Sequence, residues 1–305
     1  MNKPKDSTFK QQRLKGGNPI LTPKLTIPVC IVIGIILLAV GIILLVTVGS
    51  VKEIQGRYDD KCKGEEICYL DFVPEEDMEA PVYFLYELSN YHQNHRRYIK
   101  SVSSEQLSGE TITYDDSSVC EPIRSYKDKE KNDMVYEPCG LVAWSVFNDT
   151  FKFTDSDSND LGVSEKEITW KSDREEIFQN PSTPIDPLAN TTIVSDLENE
   201  HFIVWMRIAA LPTFRKLYAI LEKGKLEKSK TYTIEIGNNY PVESFEGTKS
   251  LIITTTTFTG GKNSFLGYVY IITGAILFLV GILFLSKHLI KPRDLGDETY
   301  LTWHH

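Results

Sequence analysis

Two uncharged apolar runs, residues 27–48 and 265–285, bracket a long stretch in which apolar and polar positions interleave. At 1.5 Å per residue each run makes a helix of roughly 30–33 Å, which matches the hydrocarbon core of a bilayer. The pattern therefore predicts a membrane protein with two transmembrane helices. It divides the chain into a tail (1–26), a first span (27–48), a large domain (49–264), a second span (265–285) and a second tail (286–305). The middle segment is long enough to build a core of its own.

Within that segment, short β-branched or alternating runs recur at 111–114, 141–147, 151–154, 202–206, 232–236 and 251–258. Gly, Pro, Asn and Asp clusters separate them, so they read as strands. Few helical patterns intervene, which favours a β-rich, antiparallel, sandwich-like domain over alternating βαβ units. Phe214, Leu217, Tyr218 and Leu221 fall at i, i+3, i+4 and i+7 after Pro212 and predict a short amphipathic helix. Val82, Leu85, Tyr86 and Tyr91 suggest a second helix, and the 254–257 threonine run reads as an edge strand. No internal repeat is visible.

Charge assigns sides to these parts. The chain has 33 basic and 42 acidic residues, net −9, which argues against nucleic acid as a partner. The first tail holds six bases against Asp6 alone, whereas residues 49–264 hold 24 bases against 38 acids. Lys287, Lys291 and Arg293 balance Asp294, Asp297 and Glu298 in the last tail. Short basic tails stay in the cytosol, and two spans return the chain to its starting side, so the domain is expected to be exoplasmic. A cleaved signal peptide fits poorly, because the first run exceeds a signal core and residues 48–50 make a weak cleavage site.

Cysteines and sequons bear on the same point. Cys30 lies in the first span, while Cys62, Cys68, Cys120 and Cys139 lie in the domain. Four cysteines allow three pairings, and local spacing favours Cys62–Cys68 with Cys120–Cys139. Glycosylation sequons begin at Asn148 and Asn190, whereas Pro181 excludes Asn180. Oxidised pairs and N-glycans both belong to the lumenal side.

Candidate chemistry is sparse. Residues 155–159 (DSDSN) resemble the start of a calcium loop, but Asp160 and Lys166 stand where Gly and a bidentate Glu are needed, so a solvated acidic turn is the better reading. His92 and His95 lie beside Arg96 and Arg97, a poor field for a metal ion. Residues 260–264 lack phosphate-loop spacing, and neither a nucleophile elbow nor an H-E-x-x-H helix occurs. No cofactor, metal or catalytic residue is expected. The spans carry glycines seven residues apart, Gly34 and Gly41 in the first and Gly267, Gly274 and Gly281 in the second. Each set makes a flat stripe against which another helix can pack closely.

Several long stretches resemble the cell-division-control-protein-50 / ligand-effect-modulator family, the β-subunits of type IV P-type ATPases that flip phospholipids. They are PVYFLYELSNYHQNHRRYIKS (81–101), PCGLVAWSVFNDTF (138–151), HFIVWMRIAALPTFRKLY (201–218), NNYPVESFEGTKS (238–250) and GGKNSFLGYVYI (260–271). The tail sequence KPRDLGDETYLTW (291–303) fits as well. The resemblance implies cytosolic termini, a glycosylated and disulfide-bonded β-rich lumenal domain, a family glycan at Asn148 and a family bridge at Cys120 and Cys139. Some relatives have a further cysteine pair near Cys62 and Cys68 that is missing here.

The resemblance also implies a non-catalytic accessory subunit in a heterodimer with the ATPase, among membrane lipids. Its expected roles are export of the pump from the endoplasmic reticulum and support of its cycle there, in the Golgi, in endosomes or at the plasma membrane. The aspartyl-phosphate sequence DKTGT of such pumps does not occur in this sequence. Two rival readings share the two-span layout. A channel subunit would need a polar pore face, and the second span offers little beyond Thr273 and two tyrosines. An ectoenzyme would need phosphate loops or positioned acids, which are not recognisable.

Overall fold

A computed structural model describes residues 5–14, 16, 22–127, 132–186 and 189–292. Contacts divide the chain into two units, one formed by 1–48 with 263–305 and the other by 49–262. The elements run α1 (Pro23–Gly49), β1 (Glu53–Arg57), β2 (Ile67–Phe72), β3 (Met78–Glu79), β4 (Val82–Leu88), α2 (Arg96–Lys100), α3 (Ser104–Leu107), β5 (Ser125–Lys127) and β6 (Asp133–Val135). They continue through α4 (Leu141–Trp144), β7 (Thr150–Asp155), α5 (Glu200–Met206), β8 (Phe214–Leu221), β9 (Lys225–Leu226), β10 (Tyr232–Gly237), β11 (Lys249–Thr255) and α6 (Phe265–Ile290).

In the first unit α1 and α6 form an antiparallel pair, and both are long and apolar enough to span a membrane. Pro23 opens α1, where its missing N–H is harmless. The buried positions of α1 are Ile27, Gly34, Gly41 and Val48, and those of α6 are Gly267, Gly274 and Gly281. Each set recurs every seven residues, so each helix presents one narrow seam and leaves its remaining apolar surface outward.

The second unit packs a four-stranded sheet, β1-β11-β4-β8, against a three-stranded sheet, β2-β10-β7, with every pairing antiparallel. Strand β4 turns Val82, Phe84, Tyr86 and Leu88 inward, as the period of two requires. Facing rings fill the space between the sheets, Phe84 on Phe153 at 4.3 Å and Tyr86 stacked on Phe147 at 3.9 Å. Burial of each such ring contributes on the order of 2–3 kcal/mol. A smaller core gathers Leu107, Ala143, Phe178, Leu197, Phe202 and Ile203 around the short helices.

The β-rich, antiparallel architecture agrees with the sequence, and strands β7, β10 and β11 lie on predicted runs. Several local expectations fail. Residues 214–221 form a strand, not a helix: Tyr218 is an extra residue opposite the step from Phe84 to Leu85. That bulge shifts the inward phase by one, so Phe214, Lys216, Tyr218, Ala219 and Leu221 are buried and the strand imitates helical spacing. The expected helix from Val82 is strand β4, because residues 82–86 are apolar throughout and their periodicity is undecided. Residues 202–206 form helix α5, whose start is fixed by Asn199 accepting from the amides of His201 and Phe202.

Only Leu141–Trp144 of the run 141–147 is regular, and it is helical; 111–114 forms no strand. The threonine run is not an edge strand: Thr254 and Thr255 end β11, which sits between β1 and β4, and Thr256 and Thr257 lie beyond it. Lys216 of β8 reaches the end of α5 and donates to the carbonyls of Val204 (2.8 Å), Trp205 (3.0 Å) and Arg207. It thereby satisfies the acceptors that a helix C-terminus leaves open.

Candidate functional site

Two built features stand out, one in each unit. In the helix pair, an added Cβ at Gly34 would lie 2.8 Å from the Phe278 nitrogen and 3.0 Å from the Gly274 carbonyl oxygen. A Cβ at Gly41 would meet Gly267 O and Ile271 N, each at 2.9 Å, and one at Gly281 would lie 2.7 Å from the Ile31 side chain. Backbone therefore touches backbone along the seam, where apolar helices gain dispersion contact that lipid tails do not supply. All five glycines singled out in the sequence lie on this one contact. Ile27 and Val48 extend it, and their seven-residue spacing from Gly34 and Gly41 was the available signal.

In the second unit the two sheets meet at a buried ion pair. Asp149 and Lys249 approach to 2.7 Å with side chains 0% and 2% exposed. One Asp149 oxygen also accepts from the Tyr58 hydroxyl at 2.8 Å, and the other accepts from the amides of Asn239 and Tyr240 at 2.6 Å each. The Lys249 ammonium donates to Asn238 Oδ1 and to the Tyr240 carbonyl. Both charges are fully partnered, which a buried pair requires. Burial, then the charge of Asp149, holds the Tyr58 hydroxyl well above its ordinary pKa.

This node ties together residues that the sequence marked separately. Cys62 is bonded to Cys68, and the Cys62 carbonyl accepts from Asn238, itself a partner of Lys249. Asn148, exposed beside Asp149, presents its carbonyl to Asn239. The other bridge joins Cys120 to Cys139. Gly140, at φ +108°, leaves 2.2 Å between an added Cβ and the Ser101 carbonyl, so only glycine fits. The Ser101 hydroxyl donates to Cys120 O and accepts from Leu141 N, while Gln106 Oε1 accepts from Cys139 N. Asn190 is exposed near this end of the domain, where Glu137 N donates to the Thr191 carbonyl. Asp149, Lys249 and Tyr58 all escaped the sequence reading; a lysine opening the strand KSLIITT was the only hint.

The remaining candidates are structural. Asp155 Oδ1 accepts the amides of Asp157 and Asn159 at 2.9 Å, closing the acidic turn on itself. His95 caps α2 by accepting from Arg97 N. Among the described residues no cluster of His, Cys, Asp and Glu is arranged to hold a metal. Trp144 and Trp170 are exposed on the domain, 59% and 70%, as a binding surface would present them. Of the second tail residues 286–292 are described, and 286–290 of them continue helix α6.

Comparison with known proteins places this geometry. The chain is 39% identical to ALA-interacting subunit 3 of Arabidopsis thaliana, across 99% of this chain and 90% of that protein. It is 38% identical to cell cycle control protein 50A of Bos taurus, across 93% and 88%. Against phospholipid-transporting ATPase accessory subunit CRF1 of Saccharomyces cerevisiae the identity is 32%, across 99% and 89%. Residues 44–294 match the LEM3 (ligand-effect modulator 3) / CDC50 family as a whole. The chain, an integral membrane protein with two spans and a sandwich-like domain, belongs to that family.

Proposed function

We propose that this chain is the non-catalytic accessory (β) subunit of a phospholipid-transporting P-type ATPase, held with the catalytic subunit as a heterodimer. The observation that carries the reading is the collinear match, over 99% of the chain, to a yeast protein named as such an accessory subunit. The geometry supports it: tightly packed spans and a rigid, disulfide-bonded domain suit a scaffold.

In this reading both tails are cytosolic and the domain is exoplasmic or lumenal. The basic first tail, the two bridges and the exposed Asn148 and Asn190 support that placement. Both asparagines then carry glycans, and the seam glycines hold the spans together. The complex leaves the endoplasmic reticulum for the Golgi, endosomes or the plasma membrane. An accessory chain alters a pump's cycle only by binding its conformations unequally, so contacts to the domain and to the spans both have to differ between states.

Co-expression with each phospholipid-transporting ATPase of the same cell tests this. At least one pairing should move both chains out of the endoplasmic reticulum, with Asn148→Gln and Asn190→Gln each removing one glycan by gel mobility. Retention of every pairing would overturn the function, and unglycosylated protein would overturn the topology.

A further inference from the structure

The structure assigns a binding site for one anionic phospholipid to the end of the helix pair where α1 begins and α6 finishes, a site apart from any transport path in a partner. A cavity of about 350 Å³ opens there, lined by Thr26 and Ile27 of α1 and by Phe284, Lys287, His288 and Lys291. That volume falls within the range of about 300–1,000 Å³ usual for small-molecule sites. Its chemistry is divided: Ile27 and Phe284 give an apolar wall continuous with the spans, and two lysines with a histidine form the rim.

Basic residues in the last turn of a helix are ordinary, because they complement its dipole. Two observations go beyond that. The Thr26 hydroxyl oxygen is buried at this cavity and has no hydrogen-bond partner among the described residues, an uncommon state for a buried polar atom. In addition, Asp6 is the sole acid among the described residues of this unit. The N-terminal end of the α1 dipole adds partial positive charge.

A phosphodiester with a net negative head group answers each need at once. Its oxygens accept from Thr26 and the two lysines, and its acyl chains continue along the apolar wall into the bilayer. A soluble phosphate would leave that wall wet, so the occupant is a membrane lipid. Basic pockets between spans at a membrane face suit such head groups. The site rests on the helix pair alone and stands whether or not the ATPase reading holds.

The test uses the full-length chain without an ATPase. It is incorporated into nanodiscs of phosphatidylcholine with a minor fraction of phosphatidylserine, and native mass spectrometry counts the lipids retained. One phosphatidylserine should be retained in preference to phosphatidylcholine, and soluble glycerophosphoserine should not displace it. Lys287→Gln and Lys291→Gln should each weaken that preference about fivefold. Thr26→Val, which preserves shape and charge, should weaken it several-fold, while Lys10→Gln in the tail should leave it intact. Equal retention of both lipids, survival of the preference in Thr26→Val and in the double lysine variant, an equal loss with Lys10→Gln, or displacement by glycerophosphoserine would each overturn the site.

Discussion

Gly34 of one span and Gly274 of the other meet so closely that a Cβ on Gly34 would lie 3.0 Å from the Gly274 carbonyl oxygen. Any larger side chain must push the helices apart. Gly34→Leu or Gly274→Leu should therefore destabilise the helix pair by about 1–3 kcal/mol, the usual range for overpacking. Gly49→Ala, which meets open space, is the control. Thermal melting of the detergent-purified chain, followed by fluorescence-detected size exclusion, should fall for the two seam variants only.

Removing one partner of the Asp149–Lys249 pair strands the other charge in the core. Asp149→Ala or Lys249→Met should each destabilise the domain by about 3–5 kcal/mol. The double variant should be less damaging than the sum of the singles, because it strands no charge. Denaturant melts of the four proteins give the coupling directly.

Lys216 gives the domain a pH signature. Burial lowers its pKa from 10.5 to about 7. Between those values the unfolded chain holds a proton that the folded chain has released, so this residue makes stability rise with pH from about 7 to 10.5 and lowest below that window. Lys216→Met should remove this rise, at the expense of three unpaired carbonyls at the end of α5. Tyr218, raised to about 12 chiefly by burial, titrates above the window in both proteins. The difference between wild-type and variant melting midpoints across pH 7 to 10.5 isolates the lysine.

The spans, the glycine seam and the strands with clean alternation were legible because their signals are local. What escaped depends on partners distant in sequence. Strand β8 was misread because its bulge is defined only against β4. The threonine-rich end of β11 looked like an edge because β1, the short strand EIQGR that covers it, has no readable alternation. Helix α5 was misread because the run FIVWM favours a strand, and its cap at Asn199 was the neglected cue. Asp149, Lys249 and Tyr58 were invisible as a buried group, since they come together only when both sheets close.

The Cys120–Cys139 bridge, 19 residues apart in sequence, closes a loop whose unfolded-state entropy it reduces. Cys120→Ser with Cys139→Ser should destabilise the domain by about 3 kcal/mol. Both sulfurs are fully buried, so mild reductant should act on this bridge only after local opening. Thiol labelling with and without denaturant distinguishes that from a surface bridge.

The most direct test of the central claim is affinity purification of the tagged full-length chain from native membranes, with the co-purifying proteins identified and assayed. A phospholipid-transporting ATPase should be recovered in one-to-one ratio, and its lipid-stimulated ATP hydrolysis should be lost when the accessory chain is absent. Recovery of the chain alone or as homo-oligomers, with hydrolysis unaffected by its removal, would contradict the account.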